Sequence, residues 1–347
     1  MTMSTTGFPN ATSAVTGIMD ERMDLSMPGA PLISFVVLAF NQERYIRDAV
    51  RSALAQTYQP LEILLIDDCS DDRTFDLINA EVAGHESERN VNIHRNTRNL
   101  GLAGSINRAW ELSSGEFLIV QAGDDISDPE RTEQLVAAWQ SVVPKPDLVY
   151  SDITVIDQDG VVVEAVRRLP RNLRLTDMVD AGMGSISGCA CAYSRRLHTI
   201  FGPLDERVLQ EDAVYPFRAL LGHGIHGVDR PLVRYRVHAE NISAPEVGAQ
   251  RSRFADPRAQ RRWVARWLEN QCAVAADWLH AWEVAGRNDP AIRKQLRRWI
   301  DMRQVELDIR RAPFPMALVS PIKGLLLGLP VRYMASLLRK TLLGQLQ

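Results

Sequence analysis

The first clear element of the fold lies in residues 31–41, PLISFVVLAFN, where an apolar predicted strand is followed by a polar loop. The run at 32–38 is short, apolar and rich in β-branched residues, which is typical of a strand buried on both faces of a parallel sheet. Residues 45–54 then repeat apolar side chains at helical spacing, and a second apolar run at 61–66 leads into DDCSDD at 67–72. Strands that alternate with helices in this way predict an α/β fold with a mainly parallel sheet.

Acidic and amide side chains directly follow several predicted strands. Further strands are predicted at 91–94 and 117–120, and the second of these runs into QAGDD at 121–125. Carboxylates gathered beyond the carboxyl ends of parallel strands repel one another unless a cation or a hydrogen-bonding ligand joins them, so a binding site is favoured there. Loop and helix-cap roles are the alternative for aspartates. The candidates are Asn41 and Glu43, Asp67 and Asp68, and Asp124 and Asp125.

Length and composition indicate a globular protein with more than one unit. A chain of 347 residues exceeds what one hydrophobic core usually needs. Hydrophobic residues make up 46% and charged residues 24%, which excludes a mostly disordered or collagen-like chain. We predict a disordered tail at 1–30, an α/β domain at 31–245 and a helical region at 250–347.

The net charge of −3 is the sum of two parts of the chain with opposite charge. Residues 251–347 carry 18 basic and 8 acidic side chains, a balance of +10, which leaves −13 for residues 1–250. An acidic body argues against nucleic-acid binding. Residues 312–347 are mainly apolar, and all their charged side chains are basic, since no acid follows Asp308. This composition favours contact with an anionic membrane surface, at about 1 kcal/mol per basic residue, over a buried helix. No run approaches about twenty apolar residues, so a spanning helix is not expected.

Tryptophan and cysteine usage bears on assembly and compartment. Four cysteines without a Cys-x-x-Cys pair, and an N-terminus unlike a signal peptide, predict reduced thiols in a cytoplasmic protein. Five of the seven tryptophans lie beyond residue 250, and two pairs are four residues apart, on one helical face each. Packing against the first domain is preferred for them, and contact within a homo-oligomer is the alternative. They are Trp263, Trp267, Trp278, Trp282 and Trp299.

Several motifs, taken in order, resemble the family 2 glycosyltransferases of the GT-A fold, a Rossmann-like nucleotide-sugar-binding fold. No motif alone suffices, and the resemblance covers residues 31–243, roughly two thirds of the chain. It implies an inverting, metal-dependent glycosyltransferase of the kind that builds bacterial surface polysaccharide. The motifs are VVLAFN at 36–41, IDDCSDDRT at 66–74, NLGLAGSINRA at 99–109, SGEF at 114–117 and GDD at 123–125.

The resemblance implies a role for each candidate residue in binding the donor. An Asp matching Asp68 accepts a hydrogen bond from the nucleotide base, and residues matching Ala39, Asn41 and Glu43 line the nucleotide pocket. The DxD-type motif of the family matches Asp124-Asp125 and implies Mn²⁺ or Mg²⁺ on the diphosphate, where a hard cation neutralises the leaving group.

One departure from the family pattern bears on the metal ligands. Many members have a further Asp two residues before this pair, where this chain has Ala122. The metal is therefore expected on Asp125, with Asp124 towards the ribose or sugar. A histidine matching His238 often adds a metal contact, and an ordinary surface histidine is the alternative.

The Glu-Asp pair of the family matches Glu211-Asp212. The resemblance implies that Asp212 is the base that deprotonates the acceptor hydroxyl, which inverts the anomeric configuration, and that Glu211 belongs to the donor site. A helix start, where acids are favoured by the helix dipole, is the alternative.

Three activities remain open from the sequence. The leading one is transfer of a sugar from a nucleoside-diphosphate-sugar to a growing glycan or lipid-linked acceptor, peripherally on the inner face of the plasma membrane. The second is a nucleotide-sugar-binding assembly protein without turnover. The third, a sugar nucleotidyltransferase, is disfavoured because residues 40–44, FNQER, lack the glycine-rich loop that holds a triphosphate.

Overall fold

The computed structural model describes residues 29–84, 90–181, 186–239, 241, 257–311, 317 and 319–342. Most of the predicted tail at 1–30 therefore lies outside the described residues, and so does the expected domain boundary at 245–250.

Strands and helices alternate through the first 140 residues, as the apolar spacing predicts. The strands are β1 Ile33–Ala39, β2 Leu61–Asp67, β3 Asn90–Arg95, β4 Phe117–Ala122, β5 Ile126–Ser127, β6 Leu148–Ile156, β7 Val162–Arg167, β8 Cys191–Ser194 and β9 Ile225–Arg236. The helices between them are α1 Ile46–Leu54, α2 Thr74–Val82, α3 Gly101–Leu112, α4 Arg131–Ser141, α5 Leu175–Ala181, α6 Arg195–Phe201 and α7 Tyr215–Leu221.

The described strands form one sheet in the order β3-β2-β1-β4-β8-β6-β9-β5, with β7 beside β6. Strands β1 to β4 pair only in parallel with one another, and β8 enters antiparallel between β4 and β6. Strand β9 is parallel to β6 and antiparallel to the short β5. The expected α/β fold is confirmed, with its parallel part in the first half of the chain.

Two hydrophobic cores cover the two faces of the sheet. Strand β1 buries all seven side chains, with Phe35 and Val37 in one core and Val36 and Leu38 in the other. Apolar residues at every position of a strand are required when both faces are covered. This is why the run at 32–38 lacks alternation.

Four described C-terminal helices follow the sheet, and the first two of them share a core with it. They are α8 Pro257–Val284, α9 Pro290–Arg311, α10 Val319–Leu326 and α11 Val331–Leu342. Trp278 and Trp282 are buried in the same core as Val36 and Leu38, so these two tryptophans pack as preferred from the sequence. Among the described residues, no helix is both long enough and apolar enough to cross a membrane.

Candidate active site

Strand register brings three strand ends together. Ala39 at the end of β1 lies beside Asp67 on β2, and Leu38 lies beside Ala122 on β4. Because β8 is antiparallel to β4, the 3-10 turn Gly188–Ala190 that precedes β8 begins at the same side. We refer to these ends as the carboxyl edge of the sheet.

The loop after β1 and the loop after β2 hold each other. Asn41 has a left-handed backbone, with φ 52°, and its N–H donates to Ser70 Oγ at 2.9 Å. Its side-chain Oδ1 accepts the N–H of Asp71 at 2.9 Å. Glu43 Oε2 likewise accepts the N–H of Arg73 at 3.2 Å. Asn41 and Glu43 therefore shape the wall of the carboxyl edge through the backbone of the neighbouring loop.

Asp68 is buried and bonds the start of α3. Its Oδ1 accepts hydrogen bonds from Asn96 Nδ2 and the N–H of Leu100, both at 2.8 Å, and its Oδ2 accepts from the N–H of Gly101 at 2.8 Å. A carboxylate is stabilised there because unpaired N–H groups and the helix dipole carry positive charge. Both Asp68 oxygens thus fix α3 against the end of β2.

The two adjacent aspartates of the GDD motif face different surroundings. Asp124 Oδ2 lies 2.9 Å from His238 Nε2, and Asn241 Nδ2 donates to the same oxygen at 3.3 Å. Asp125 points inward, where its Oδ1 accepts the N–H of Arg236 at 2.9 Å. The sequence, with Ala122 in place of a further Asp, led us to expect Asp125 and His238 as metal ligands. In the structure it is Asp124 that contacts this histidine.

Two buried arginines, which sequence reasoning missed, lie beside this aspartate pair. Arg236 Nε donates to the carbonyl of Asp124 at 2.8 Å, and its guanidinium stacks 4.8 Å from the ring centre of Tyr45. Arg131 Nη2 donates to the carbonyl of Cys189 at 2.7 Å, and burial lowers its pKa to about 10. Burial and then the Asp124 charge raise the pKa of Asp125 well above its usual range.

Glu211 and Asp212 open a 3-10 turn, Glu211–Ala213, that lies against Gly188. The N–H of Gly188 donates to Asp212 Oδ2 at 3.2 Å. A Cβ at position 188 would overlap Glu211 Oε1, so any other residue there would displace the buried Glu211 side chain. The charges of Asp125 and Glu211 both act on the Cys189 thiol, so both acidic pairs lie near the 188–190 turn.

The two acids of this turn differ in proton affinity. Burial, followed by the charge of Asp212, raises the pKa of Glu211 to about 8. Glu211 therefore keeps its proton at neutral pH, next to the negative charge of Asp212. Environments that separate the pKa values of neighbouring carboxyls commonly divide acid and base roles between them.

The stability of the protein is expected to fall as pH rises from about 5 to about 8.5. The folded state holds the Glu211 proton up to about pH 8, whereas the unfolded chain releases it near its ordinary pKa of 4.5. The retained proton stabilises the folded state fully below that range, and this contribution of about 5 kcal/mol is lost across it. Urea unfolding at several pH values measures this slope.

Glu211→Gln should flatten that slope, because glutamine mimics the neutral carboxyl and cannot release a proton. Buried Asp125 leaves a residual slope of the same sign. Glu206→Gln is the matched control, since the side chain of Glu206 is 64% exposed. An unchanged pH slope in Glu211→Gln would contradict the raised pKa.

A divalent cation fits this site with few protein ligands. Among the described residues, no three His, Cys, Asp or Glu side chains are grouped to hold a metal. Asp124 and His238 present one oxygen and one nitrogen side by side, and Asp125 Oδ2 is buried without a hydrogen-bond partner within the described ranges. One or two protein ligands suffice for a cation that also binds substrate phosphates.

Helix α8 buttresses the segment that carries Glu211 and Asp212. Asn270 Oδ1 accepts the N–H of Leu209 at 2.7 Å, and Trp278 Nε1 donates to the carbonyl of Ala213 at 2.8 Å. The tryptophan spacing in the sequence predicts a packed face, but it does not reveal these polar contacts. The described part of the chain thus ties the acidic turn to the C-terminal region on both sides.

Comparisons with known proteins agree with an α/β fold of this kind. Residues 34–201 match the model of glycosyl transferase family 2. The match confirms, over this part of the chain, the resemblance seen in the sequence.

Similar proteins in bacteria are described as glycosyltransferases. The putative glycosyltransferase EpsE of Bacillus subtilis is 35% identical over 111 residues, which cover 32% of this chain and 39% of that protein. The putative teichuronic acid biosynthesis glycosyltransferase TuaG of Bacillus subtilis is 23% identical over 72% of this chain and 92% of that protein. The match covers only 35% of an uncharacterised Rickettsia felis glycosyltransferase, so the chain spans little more than a third of several relatives.

A solved structure shares the fold. TarS residues 1–349 of S. aureus, in complex with UDP-GlcNAc, superimposes with a TM-score of 0.56 at 16% identity. The superposition covers 90% of this chain and 88% of that structure, and it includes both the sheet and C-terminal helices. The GT-A fold expected from the sequence is thereby confirmed.

Proposed function

We propose that this protein transfers a sugar from a nucleoside-diphosphate-sugar to an acceptor hydroxyl, with inversion at the anomeric carbon. The observation that carries the proposal is that two acidic pairs lie near the same 188–190 turn. Asp124 with His238 suits the diphosphate side, and Glu211 with Asp212 suits the acceptor side. The family 2 match over 34–201 supports the same activity.

Asp212 is the proposed base, since its negative charge is one of the two causes that raise the pKa of the neighbouring Glu211. Glu211, with a pKa of about 8, stays neutral at pH 7 and leaves one negative charge beside Gly188. As the acceptor oxygen bonds to the anomeric carbon, its proton passes to the Asp212 carboxylate. The bond from the anomeric carbon to the diphosphate breaks, and the nucleoside diphosphate leaves with the electron pair. Attack opposite the leaving group inverts the configuration.

Asp124 and His238 are the proposed cation ligands, in place of the Asp125 and His238 expected from the sequence. Mn²⁺ or Mg²⁺ bound there supplies positive charge for the departing diphosphate. Asp125 takes a supporting role, since its bond to the Arg236 N–H fixes the turn that carries Asp124. The buried Arg236 contributes further positive charge next to the Asp124 backbone.

The donor pocket is proposed to lie between the loops after β1 and β2. Ala39 packs close to Gly123, where an added Cβ would stand 3.0 Å from the Ala39 Cβ, so the end of β1 lies directly against the turn after β4. Asn41 and Glu43 hold the loop after β2, and Asp68 holds α3. We infer that these three side chains position the nucleotide-binding walls, and that Asp68 also faces the base.

The nucleotidyltransferase alternative is disfavoured by the loop after β1. A triphosphate needs free backbone N–H groups, as in glycine-rich loops. Here the N–H groups of Asn41, Gln42 and Glu43 donate to Ser70, Thr74 and Asp72 of the neighbouring loop. A non-catalytic binding protein remains the second candidate, and transfer by an Asp212→Asn variant separates the two. Near-wild-type transfer by that variant would exclude the proposed mechanism.

The proposed acceptor is a surface polysaccharide or a lipid-linked glycan, on the inner face of the plasma membrane. The relative TuaG is a putative glycosyltransferase of teichuronic acid biosynthesis. The net charge of +10 over residues 251–347 supports an anionic surface or acceptor. We also propose that the units 31–245 and 250–347 act together, because Trp278 lies in the core of the sheet.

Helices α10 and α11 support contact with an anionic membrane. One face packs on α9 through Met334 and Leu337. The rest of this helical pair exposes large apolar side chains, including Leu326 at 84% and Val331 at 70%. All four charged side chains from 319 to 342 are basic, a profile that adsorbs to anionic lipid. The remainder of the predicted membrane segment, 312–316, 318 and 343–347, lies outside the described residues.

The double variant Leu326→Glu with Val331→Glu should weaken binding to phosphatidylglycerol vesicles at least fivefold in a sedimentation assay. It removes two exposed apolar groups and adds negative charge where the lipid is negative. Val162→Glu with Val163→Glu on β7 is the matched control, since those valines are 54% and 61% exposed. Unchanged vesicle binding by the α10–α11 variant would contradict the membrane proposal.

A further inference from the structure

A groove lies between helix α8 and the segment that leads into Glu211. Its volume is about 430 Å³. One wall is formed by Glu206, Arg207 and Leu209, and the other by Arg262, Arg266 and Glu269 on α8. Arg262 and Arg266 are four residues apart, so they project from the same face of the helix.

The charges around the groove favour an anion. Each of its two glutamates faces an arginine outside the lining, Glu269 pairing with Arg311 and Glu206 lying 4.0 Å from Arg98. Arg207 pairs with Asp205 at 2.6 Å. The lining itself carries three arginines and two glutamates, so arginine is its commonest charged side chain. Arg262 and Arg266 are both exposed to solvent.

The groove is connected rigidly to the proposed base. Leu209 in its wall is three residues from Asp212, and its N–H is held by Asn270 of α8. Trp278 of the same helix holds the carbonyl of Ala213, directly after Asp212. A group bound in the groove is therefore held by the same helix that fixes the acceptor side of the site.

We propose that this groove binds a phosphate group of the acceptor and so orients the acceptor hydroxyl towards Asp212. The proposal rests on the proposed transferase function. The guanidinium fork donates two parallel hydrogen bonds to a phosphate, and it keeps its charge at all physiological pH values. Arg262 and Arg266 are the principal phosphate ligands, and Arg207 faces them across the groove. The phosphate belongs either to the glycan itself or to a lipid carrier.

Titration with inorganic tripolyphosphate tests the groove directly. The probe is added to the full chain in EDTA, so that no divalent cation carries it into the donor site, and tryptophan fluorescence reports binding. The stacked rings of Trp263 and Trp267, with centres 5.7 Å apart on the same helix, lie next to both arginines in sequence. The double variant Arg262→Gln with Arg266→Gln should raise the Kd at least tenfold.

The matched control removes two positive charges from the far end of the helical hairpin. Lys294→Gln with Arg297→Gln changes exposed side chains of α9 near Glu283, about 25 Å along α8 from Arg266. Its Kd should stay within twofold of the wild type. Equal weakening in both double variants, or none in the groove variant, would overturn the proposal, because either result means that net charge alone attracts the probe.

Two further arms identify the source of the phosphate and separate this proposal from the function. Displacement of the probe by phosphatidylglycerol vesicles assigns the phosphate to a lipid, and retention assigns it to the glycan. Thermal stabilisation by nucleoside-diphosphate-sugars should be the same in the groove variant and the wild type. Absence of any such stabilisation would contradict the transferase function, whereas the tripolyphosphate Kd tests the groove independently.

Discussion

Replacing Asp212 with asparagine is expected to lower sugar transfer by about 10²–10⁴-fold while donor binding is retained. Asparagine has the shape of aspartate and its Oδ1 can still accept the N–H of Gly188, but it cannot take the acceptor proton. Release of nucleoside diphosphate in the presence of acceptor measures the rate. Thermal stabilisation by the donor measures binding separately.

Glu111→Gln on α3 is the control for the loss of one carboxylate. The side chain of Glu111 is 59% exposed and pairs with Arg108 on the same helix, so its variant should transfer within about threefold of the wild type. Asp212→Asn at a rate near that of the wild type would mean that another group takes the proton. Loss of donor stabilisation in Asp212→Asn would mean that Asp212 binds the donor instead.

Breaking the buried ion pair between Arg218 and Asp277 is expected to cost about 3–5 kcal/mol of unfolding free energy. Arg218 on α7 and Asp277 on α8 are joined by two hydrogen bonds, at 2.9 and 2.5 Å, and their side chains are only 1% and 6% exposed. Asp277→Leu leaves the Arg218 guanidinium buried without its counter-ion. Urea unfolding measures the loss.

Two further variants identify the cause of that loss. Arg218→Met combined with Asp277→Leu removes both charges, and it should recover most of the stability because no unpaired charge stays buried. Glu283→Leu breaks an exposed pair on the same helix, with Arg293, and should cost less than about 1 kcal/mol. Equal costs for Asp277→Leu and Glu283→Leu would contradict the buttress role of α8.

The same pair bears on the proposed catalytic site, because the next residue, Trp278, donates a hydrogen bond to the carbonyl of Ala213.

Strand–helix alternation in the sequence predicts the parallel part of the sheet, since apolar runs buried on both faces are distinctive. It does not predict which loops α8 contacts. Contacts between residues 59 and 65 positions apart, such as Arg218–Asp277 and Ala213–Trp278, leave no periodic signal in either segment.

The different orientations of Asp124 and Asp125 could not be predicted from the sequence either. Both residues lie in the turn between β4 and β5, and Asp125 is held there by the backbone N–H of Arg236 at the end of β9. Ile126 pairs with Arg234, which draws Asp125 to the backbone of Arg236 and leaves Asp124 facing His238. A two-residue strand such as β5 carries too little pattern to be recognised in advance.

The GDD and Glu-Asp motifs nevertheless identified residues that the structure brings to one region. Asp124, Asp212 and His238 all come from loops at or beside the carboxyl edge. These residues could be predicted as site candidates because charged side chains directly after buried strands are costly without a ligand. Asp68 was identified as well, although its three hydrogen bonds to Asn96, Leu100 and Gly101 follow from the position of α3 and could not be foreseen.

Thermal stabilisation by a panel of nucleoside-diphosphate-sugars, with Mn²⁺ and with excess chelator, tests most directly whether loops from separate strands hold one anionic donor through a shared ion. At least one donor should raise the melting temperature of the wild type in Mn²⁺, and chelation or Asp124→Asn should abolish that rise. Equal stabilisation in chelator, or an undiminished rise in Asp124→Asn, would contradict it.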